Sequence, residues 1–171
     1  GAQVHTPYGA TEALPVASIT ATEVLRETQM QTDLGAGVCV GKRFADIRWR
    51  VIPILGAPIE CLPRSLPVGQ IGELVVSGPV VTSRYVTRQD MNRWAKIDVN
   101  GTIWHRMGDV GYLDASDRFW FCGRVTHRVQ TEKDTLFTVP CEAVFNTHQD
   151  VYRSALIGLG PAGRQRPVLV V

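Results

Sequence analysis

The chain has 171 residues, 44% of them hydrophobic and 20% charged, with a formal net charge of +2. This is the composition of a soluble globular protein, long enough for one ordinary domain or for one and a small second piece. So small a charge, with arginines scattered rather than clustered, argues against a nucleic-acid groove, and no apolar stretch approaches the roughly 18 residues that a membrane span needs.

The N-terminus lacks a charged region followed by an apolar run, which together with the missing span points to the cytoplasm. Cys39, Cys61, Cys122 and Cys141 form no Cys-x-x-Cys pair, and no His stands at ligand spacing from them. Structural zinc is therefore not expected. The apolar settings of Cys39 and Cys122 favour buried free thiols over disulfides.

In chain order, Gly1 to Tyr8 reads as a short strand delivering a turn at Tyr8 to Glu12, YGATE. Thr22 is placed to cap a helix running to about Thr32, which Gly35 and Gly37 stop. Its apolar positions are sparse, so it lies on a surface or at an interface. The Gly-rich GAGVCVG follows a helix instead of opening one, the reverse of a phosphate loop, and reads as a structural turn.

Ile47 to Leu55 alternates as a half-buried strand until Pro53. Ile71 to Val81 reads as a strand pair or one bent strand, and Glu73 within it as structural. Arg88 to Lys96 fits a short helix with Met91 and Trp94 on one face. Asn100-Gly101 signals a tight hairpin returning through Thr102 to Arg106.

Trp104 to Arg124, WHRMGDVGYLDASDRFWFCGR, concentrates the chemistry. Gly108 and Gly111 flank Asp109 and place it on a tight turn, where a carboxylate accepts from two adjacent hydroxyls such as those of a ribose. Asp114 to Arg118 turns the chain into an aromatic strand. After Arg124 the plan becomes strand, strand, helix, strand, with Pro140 in the first turn of a helix covering Glu142 to His148. Short strands at close spacing predict an α+β fold: a small distorted β-barrel-like subdomain with short helices, then the start of a small α+β C-terminal domain. The boundary falls at Gly123 to His127.

Alone, the Asp109 stretch is equally a surface hairpin. The turn near the start changes that reading. Thr11 can donate to a phosphate oxygen, Glu12 can ligate a hard cation such as Mg²⁺, and Tyr8, ahead of Gly9, offers a flat face for a base, with core packing as its rival role. Phosphate, metal, stacking and ribose contacts together describe a nucleotide.

At these residues the chain resembles the adenylate-forming enzymes: acyl-CoA synthetases, adenylation domains of peptide synthetases, and luciferases. YGATE at Tyr8 to Glu12 is similar to their Tyr-Gly-x-Thr-Glu motif. GELVVSGPVVTSRYV, ending near Tyr85, resembles their Gly-Glu-Leu strand. MGDVGYLD resembles Thr-Gly-Asp with Met107 in place of Thr, and CGRVTHR resembles the Gly-Arg hinge. The order and spacing of the four match over nearly the whole chain. YGATEALPVASI and GAGVCVG look most like the branch of the olefin-pathway β-lactone synthetases, whose members are often labelled fatty-acyl-CoA ligases.

The resemblance implies that residues 1–123 are the C-terminal part of a large AMP-binding domain and 124–171 the hinge and truncated beginning of a mobile domain. It implies ATP and Mg²⁺, with a small-molecule carboxylate, a long-chain fatty or β-hydroxy acid, converted to acyl-AMP and pyrophosphate. Thr11 and Glu12 would carry catalysis at the phosphates, Glu12 holding Mg²⁺. Tyr8, Gly9, Asp109 and Arg124 would contact the nucleotide, Arg124 at ribose or phosphate. The family's upstream Ser/Thr/Gly-rich phosphate loop cannot be assigned here, and none of Lys42, Lys96 and Lys133 sits in the motif of its downstream catalytic lysine, so parts of the same chain are expected to be missing and the stretch alone to be inactive. Thr126 and TEKDTLFTV depart from the hinge loop that meets coenzyme A in thioester formers. The second step is therefore transfer to coenzyme A or, favoured by that departure, closure of a β-lactone. A non-catalytic nucleotide-binding or interaction module remains the alternative.

Overall fold

The structure, a computed structural model, describes residues 2–171; the Gly1 end of the expected first strand lies outside them. Its main body is one antiparallel sheet built from β1 (His5–Ala10), β2 (Ala13–Thr20), β3 (Val38–Arg43), β4 (Arg48–Ile52), β5 (Gly72–Ser77), β6 (Lys96–Val99), β7 (Thr102–Leu113) and β8 (Arg118–Arg124). The strands run in the order β1-β2-β3-β8-β7-β5-β4, with β6 pairing β7. The fold is α+β as expected, and the sheet stays open. Beyond β8 lie two small two-stranded sheets, β9 (Val129–Gln130) with β10 (Thr135–Leu136) and β11 (Ala155–Leu159) with β12 (Arg166–Val170). The helix Thr138–Phe145 stands between them.

The main core collects inward-facing residues of five strands: Val16, Trp49, Val51, Leu74, Val76, Met107 and Phe119. Phe119 is fully enclosed, a burial worth about 2–3 kcal/mol. Its ring closes on Gly111, where an added Cβ would strike the Trp120 carbonyl oxygen and come within 2.6 Å of the Phe119 ring. That close approach, not a turn, is why position 111 is glycine.

Several boundaries differ from the sequence reading for physical reasons. The first helix is capped by Thr20, not Thr22: the Glu23 amide donates to the Thr20 hydroxyl at 3.1 Å and the Thr20 amide donates to the Glu23 carboxylate at 2.8 Å. Thr20-x-x-Glu23 is a capping box, and Thr22 has Leu25 at the reciprocal position. The helix continues through a π-helical stretch at Val24–Thr28 to Asp33 with Leu25 and Met30 exposed. The ALPVASIT segment, unassigned from sequence, is strand β2. The later helix runs from Thr138 to Phe145, with Pro140 in its first turn as expected and its end short of His148. The Asn100-Gly101 hairpin forms as expected, with φ of 51° and 80°, the left-handed pair of a type I′ turn.

Among the described residues all four cysteines are free thiols. Burial pushes the Cys122 thiol up to about 12. No helix among the described residues is long and apolar enough to cross a membrane.

Candidate functional site

The β1–β2 hairpin carries both halves of the site. Its register shifts between Tyr8 and Ala10, and a Cβ at Gly9 would run into the Ala13 carbonyl oxygen and the Leu14 side chain. Gly9 thus makes the tight turn possible, which puts Thr11 and Glu12 at the tip.

The first half lies at Asp109. The sequence placed it on a tight turn between glycines; instead it sits inside the twelve-residue strand β7 and is 4% exposed. The correction has a local cause: Gly108 takes a left-handed φ of +69°, bulging the strand without ending it, and the pairing of Asp109 with Arg124 continues beyond it. The Tyr8 hydroxyl donates to Asp109 Oδ2. Arg124 Nη1 donates to Asp109 Oδ1 at 2.6 Å and to the Met107 carbonyl at 3.1 Å. Residues from β1, β7 and β8, up to 116 positions apart in sequence, therefore meet on one carboxylate.

Burial raises the Asp109 carboxyl above its ordinary value, opposed by the Tyr8 hydrogen bond and the Arg124 charge. Burial and then Asp109 hold the Tyr8 phenol well above its own. Tyr8 is therefore a neutral donor. Its ring lies 5.9 Å from that of Phe119, centroid to centroid, so one flank serves the core. A carboxylate has about four acceptor positions. Two are filled here, leaving capacity for a further donor. Arg124, its side chain half exposed, is the solvent-facing partner of the pair.

The second half surrounds Glu12. The Tyr85 hydroxyl donates to Glu12 Oε1 at 2.6 Å, and the Thr82 amide donates to the Glu12 carbonyl at 2.8 Å. The Tyr85 bond, the largest influence, lowers the Glu12 carboxyl below its ordinary value, keeping it ionised. Lys96 donates to the Thr82 carbonyl at 2.6 Å and to its hydroxyl at 3.0 Å, with its ammonium 5.6 Å from the Tyr85 ring centroid. Thr11 is exposed beside Glu12. No group of three or more His, Cys, Asp or Glu side chains able to hold a metal gathers among the described residues. The side chain that donates to the Glu12 carboxylate, Tyr85, does so at Oε1.

A cleft of about 520 Å³ opens beside the Asp109 bulge, lined by Leu55, Met91, Trp94, Arg106, Gly108 and Arg124. Its floor is fixed by Arg106, which pairs with both oxygens of Glu73 at 3.0 and 2.7 Å and donates to the carbonyls of Leu55, Ala57 and Trp94. Glu73 is structural, as the sequence suggested. Sequence reasoning missed Tyr85 and Lys96. Tyr85 ends a recognised motif but gave no sign of what its hydroxyl meets, and Lys96 becomes informative only once β6 pairs with β7.

No family model matches the chain. The olefin β-lactone synthetase of Xanthomonas campestris pv. campestris is 48% identical over 177 residues, which cover 99% of this chain and 32% of that protein. The amide bond synthetase of Marinactinospora thermotolerans has the same fold, with a TM-score of 0.76 at 22% identity over 96% of this chain and 30% of that one. The O-succinylbenzoate coenzyme A synthetase of Bacillus subtilis, solved in complex with ATP and magnesium ion, aligns with a TM-score of 0.72 at 21% identity, over 96% of this chain and 30% of that one. The chain thus spans about a third of the length of the relatives it matches.

Proposed function

Because the chain belongs to the adenylate-forming enzyme superfamily, we propose that it supplies the ribose-binding and metal-binding part of an ATP-dependent acid ligase that converts a long-chain fatty or β-hydroxy acid to acyl-AMP and pyrophosphate. The observation that carries the reading is the convergence of Tyr8, Asp109 and Arg124, drawn from three of the four family motifs, on one buried carboxylate. We read residues 1–123 as the end of the large AMP-binding domain and 124–171 as the hinge and beginning of the mobile domain. In support, the main sheet ends with Arg124 and separate small sheets follow.

In this reading the two unfilled acceptor positions of Asp109 take the ribose hydroxyls, and Arg124 supplies a charge-assisted donor to ribose or phosphate. Thr11 donates to a phosphate oxygen. One flank of Tyr8 faces the base while the other packs on Phe119. The single ionised carboxylate of Glu12, with the Tyr85 hydroxyl on Oε1, fits a hard cation that arrives with its phosphates and fits a resident metal poorly. Mg²⁺ bound there would neutralise phosphate charge. The substrate carboxylate attacks the α-phosphorus in line and pyrophosphate leaves; the chain's contribution is positioning and charge stabilisation. For the second step we favour attack of the substrate's β-hydroxyl on the acyl carbon with loss of AMP, closing a β-lactone. The relative at 48% identity and the altered hinge loop support this over transfer to coenzyme A.

The test uses the full-length protein with ATP and a long-chain β-hydroxy acid, measuring pyrophosphate release with and without coenzyme A and identifying products by mass. Release with lactone in the absence of coenzyme A is expected; a thioester formed only when coenzyme A is present overturns the second step, and no release with any carboxylate overturns the first. The 171-residue chain alone is expected to release none. Asp109→Asn in the full-length protein keeps the shape but loses charge. It should weaken ATP binding about tenfold, the scale of one hydrogen bond to a charged group, and unchanged affinity by calorimetry removes Asp109 from the site.

A further inference from the structure

The segment from Thr82 to Lys96 wraps Glu12 in a way that the roles of Thr11 and Glu12 do not require. It holds the Glu12 backbone through the Thr82 amide and the Glu12 carboxylate through the Tyr85 hydroxyl. Tyr85 is itself clamped. Asn92 accepts from its amide at 2.7 Å and donates to its carbonyl at 3.1 Å. Lys96 lies over its ring and spends its ammonium on the two Thr82 oxygens.

The choice of donor matters. An ammonium placed directly on Glu12 would neutralise the carboxylate and compete with any cation for it. A phenol hydroxyl fixes one oxygen and leaves the negative charge in place. Lys96 reaches the same locality yet is turned to Thr82. It steadies the Tyr85 ring through a cation–π contact without cancelling the charge of Glu12. With Oε1 occupied by Tyr85, the carboxylate presents Oε2.

We propose that Tyr85 and Lys96 are positioning residues for the metal-binding function of Glu12: Tyr85 fixes the carboxylate rotamer through Oε1 so that Oε2 faces the cation, and Lys96 fixes Tyr85. The proposal rests on the nucleotide reading above and adds to it the machinery that sets the Mg²⁺ requirement. It predicts a defect confined to the cation. Tyr85→Phe removes the hydroxyl and keeps the ring, and Lys96→Met removes the charge and keeps the stem.

The full-length protein is titrated with ATP by calorimetry at a series of free Mg²⁺ concentrations and again in EDTA, and pyrophosphate release is measured over the same Mg²⁺ series. Tyr85→Phe should raise the Mg²⁺ needed for half-maximal binding and half-maximal rate by about tenfold, as expected for one lost hydrogen bond to a charged group. Its ATP affinity in EDTA and its rate at saturating Mg²⁺ should stay within about twofold of the parent. Lys96→Met should move the Mg²⁺ midpoint in the same direction by about threefold, on the scale of one exposed cation–π contact. A Mg²⁺ midpoint unmoved in both variants overturns the proposal while leaving the nucleotide reading intact. So does a loss of ATP affinity that is equal in EDTA and in Mg²⁺, because that is the mark of general structural damage. A parent protein that binds no ATP at any Mg²⁺ concentration overturns the nucleotide reading, and this proposal with it.

Discussion

Replacing His105 by Gln should flatten the acid side of the stability profile. His105 lies in β7, 3% exposed, with its Nδ1–H donating to the Ala95 carbonyl at 3.0 Å. Burial, reinforced by the nearby Lys96 charge, pushes its imidazole down from 6.5 to about 4. The folded chain therefore holds a neutral ring at pH values where the unfolded chain binds a proton. Stability tied to this group is fully present above pH 6.5 and is lost as pH falls towards 4. With one extra proton on the unfolded state, the slope is about 1.4 kcal/mol per pH unit, and the loss across the window comes to about 3 kcal/mol. Asp109, raised by burial, acts in the opposite sense near its own titration, but it is common to both proteins and cancels in their difference. Urea unfolding of the parent and His105→Gln at half-unit steps from pH 4 to 8 should show the gap between them closing by about 3 kcal/mol below pH 6.5. Parallel curves across that window would refute the assignment of a buried neutral imidazole.

Two further substitutions test the frame around the site. Glu73→Ala leaves Arg106, its side chain 8% exposed, facing three carbonyls with no anion. A loss of about 3–5 kcal/mol is expected, read as a fall of roughly 2 M in the urea midpoint; a loss below about 1 kcal/mol would mean that water reaches the pair. Gly111→Ala forces a methyl against the Trp120 carbonyl and the Phe119 ring, and because the carbonyl belongs to a paired strand it cannot swing aside. The cost should approach about 3 kcal/mol, a fall of roughly 6–12 °C in Tm, and an unchanged Tm would show that β8 moves to make room.

The hairpins were legible because their signals are local. Asn100-Gly101 has the left-handed residues its turn needs, and Asp114 to Arg118 has a polar turn between alternating strands. The YGATE turn and the free thiols of Cys39 and Cys122 were legible for the same reason, since each reading depends on neighbours within a few positions, whereas the partner that makes Glu73 structural, Arg106, lies 33 positions away. Asp109 was misplaced because glycines on both sides of a carboxylate spell a turn in sequence, whereas here one makes a bulge and the other receives an aromatic ring from the adjoining strand. β2 escaped notice because ALPVASIT, with a Pro inside it, lacks alternation; Ala13, Val16 and Ala17 are all fully buried. Tyr85 and Lys96 were invisible as a pair with Glu12 because 73 positions separate the two partners of that hydrogen bond, and long-range contacts such as the β-bridge between Ala13 and Val81 bring the segments together.

The order of the sheet also bears on how the protein is made. β3 joins the first hairpin to the rest through its pairing with β8, in which Val38 faces Phe121 and Lys42 faces Arg118. On a ribosome delivering about 5–20 residues per second, the roughly 75 residues between β3 and β8 leave that edge of the nascent sheet unmatched for about 4–15 s. Val38, Cys39 and Val40 offer during this interval a short apolar strand with open backbone donors and acceptors, the kind of edge that recruits foreign strands. Lys42 and Arg43 at its end, with Gly41 interrupting its regularity, are the charges and the break that limit such pairing. The residues closing the seam in the folded protein are thus also those that must keep it single while the chain is still growing.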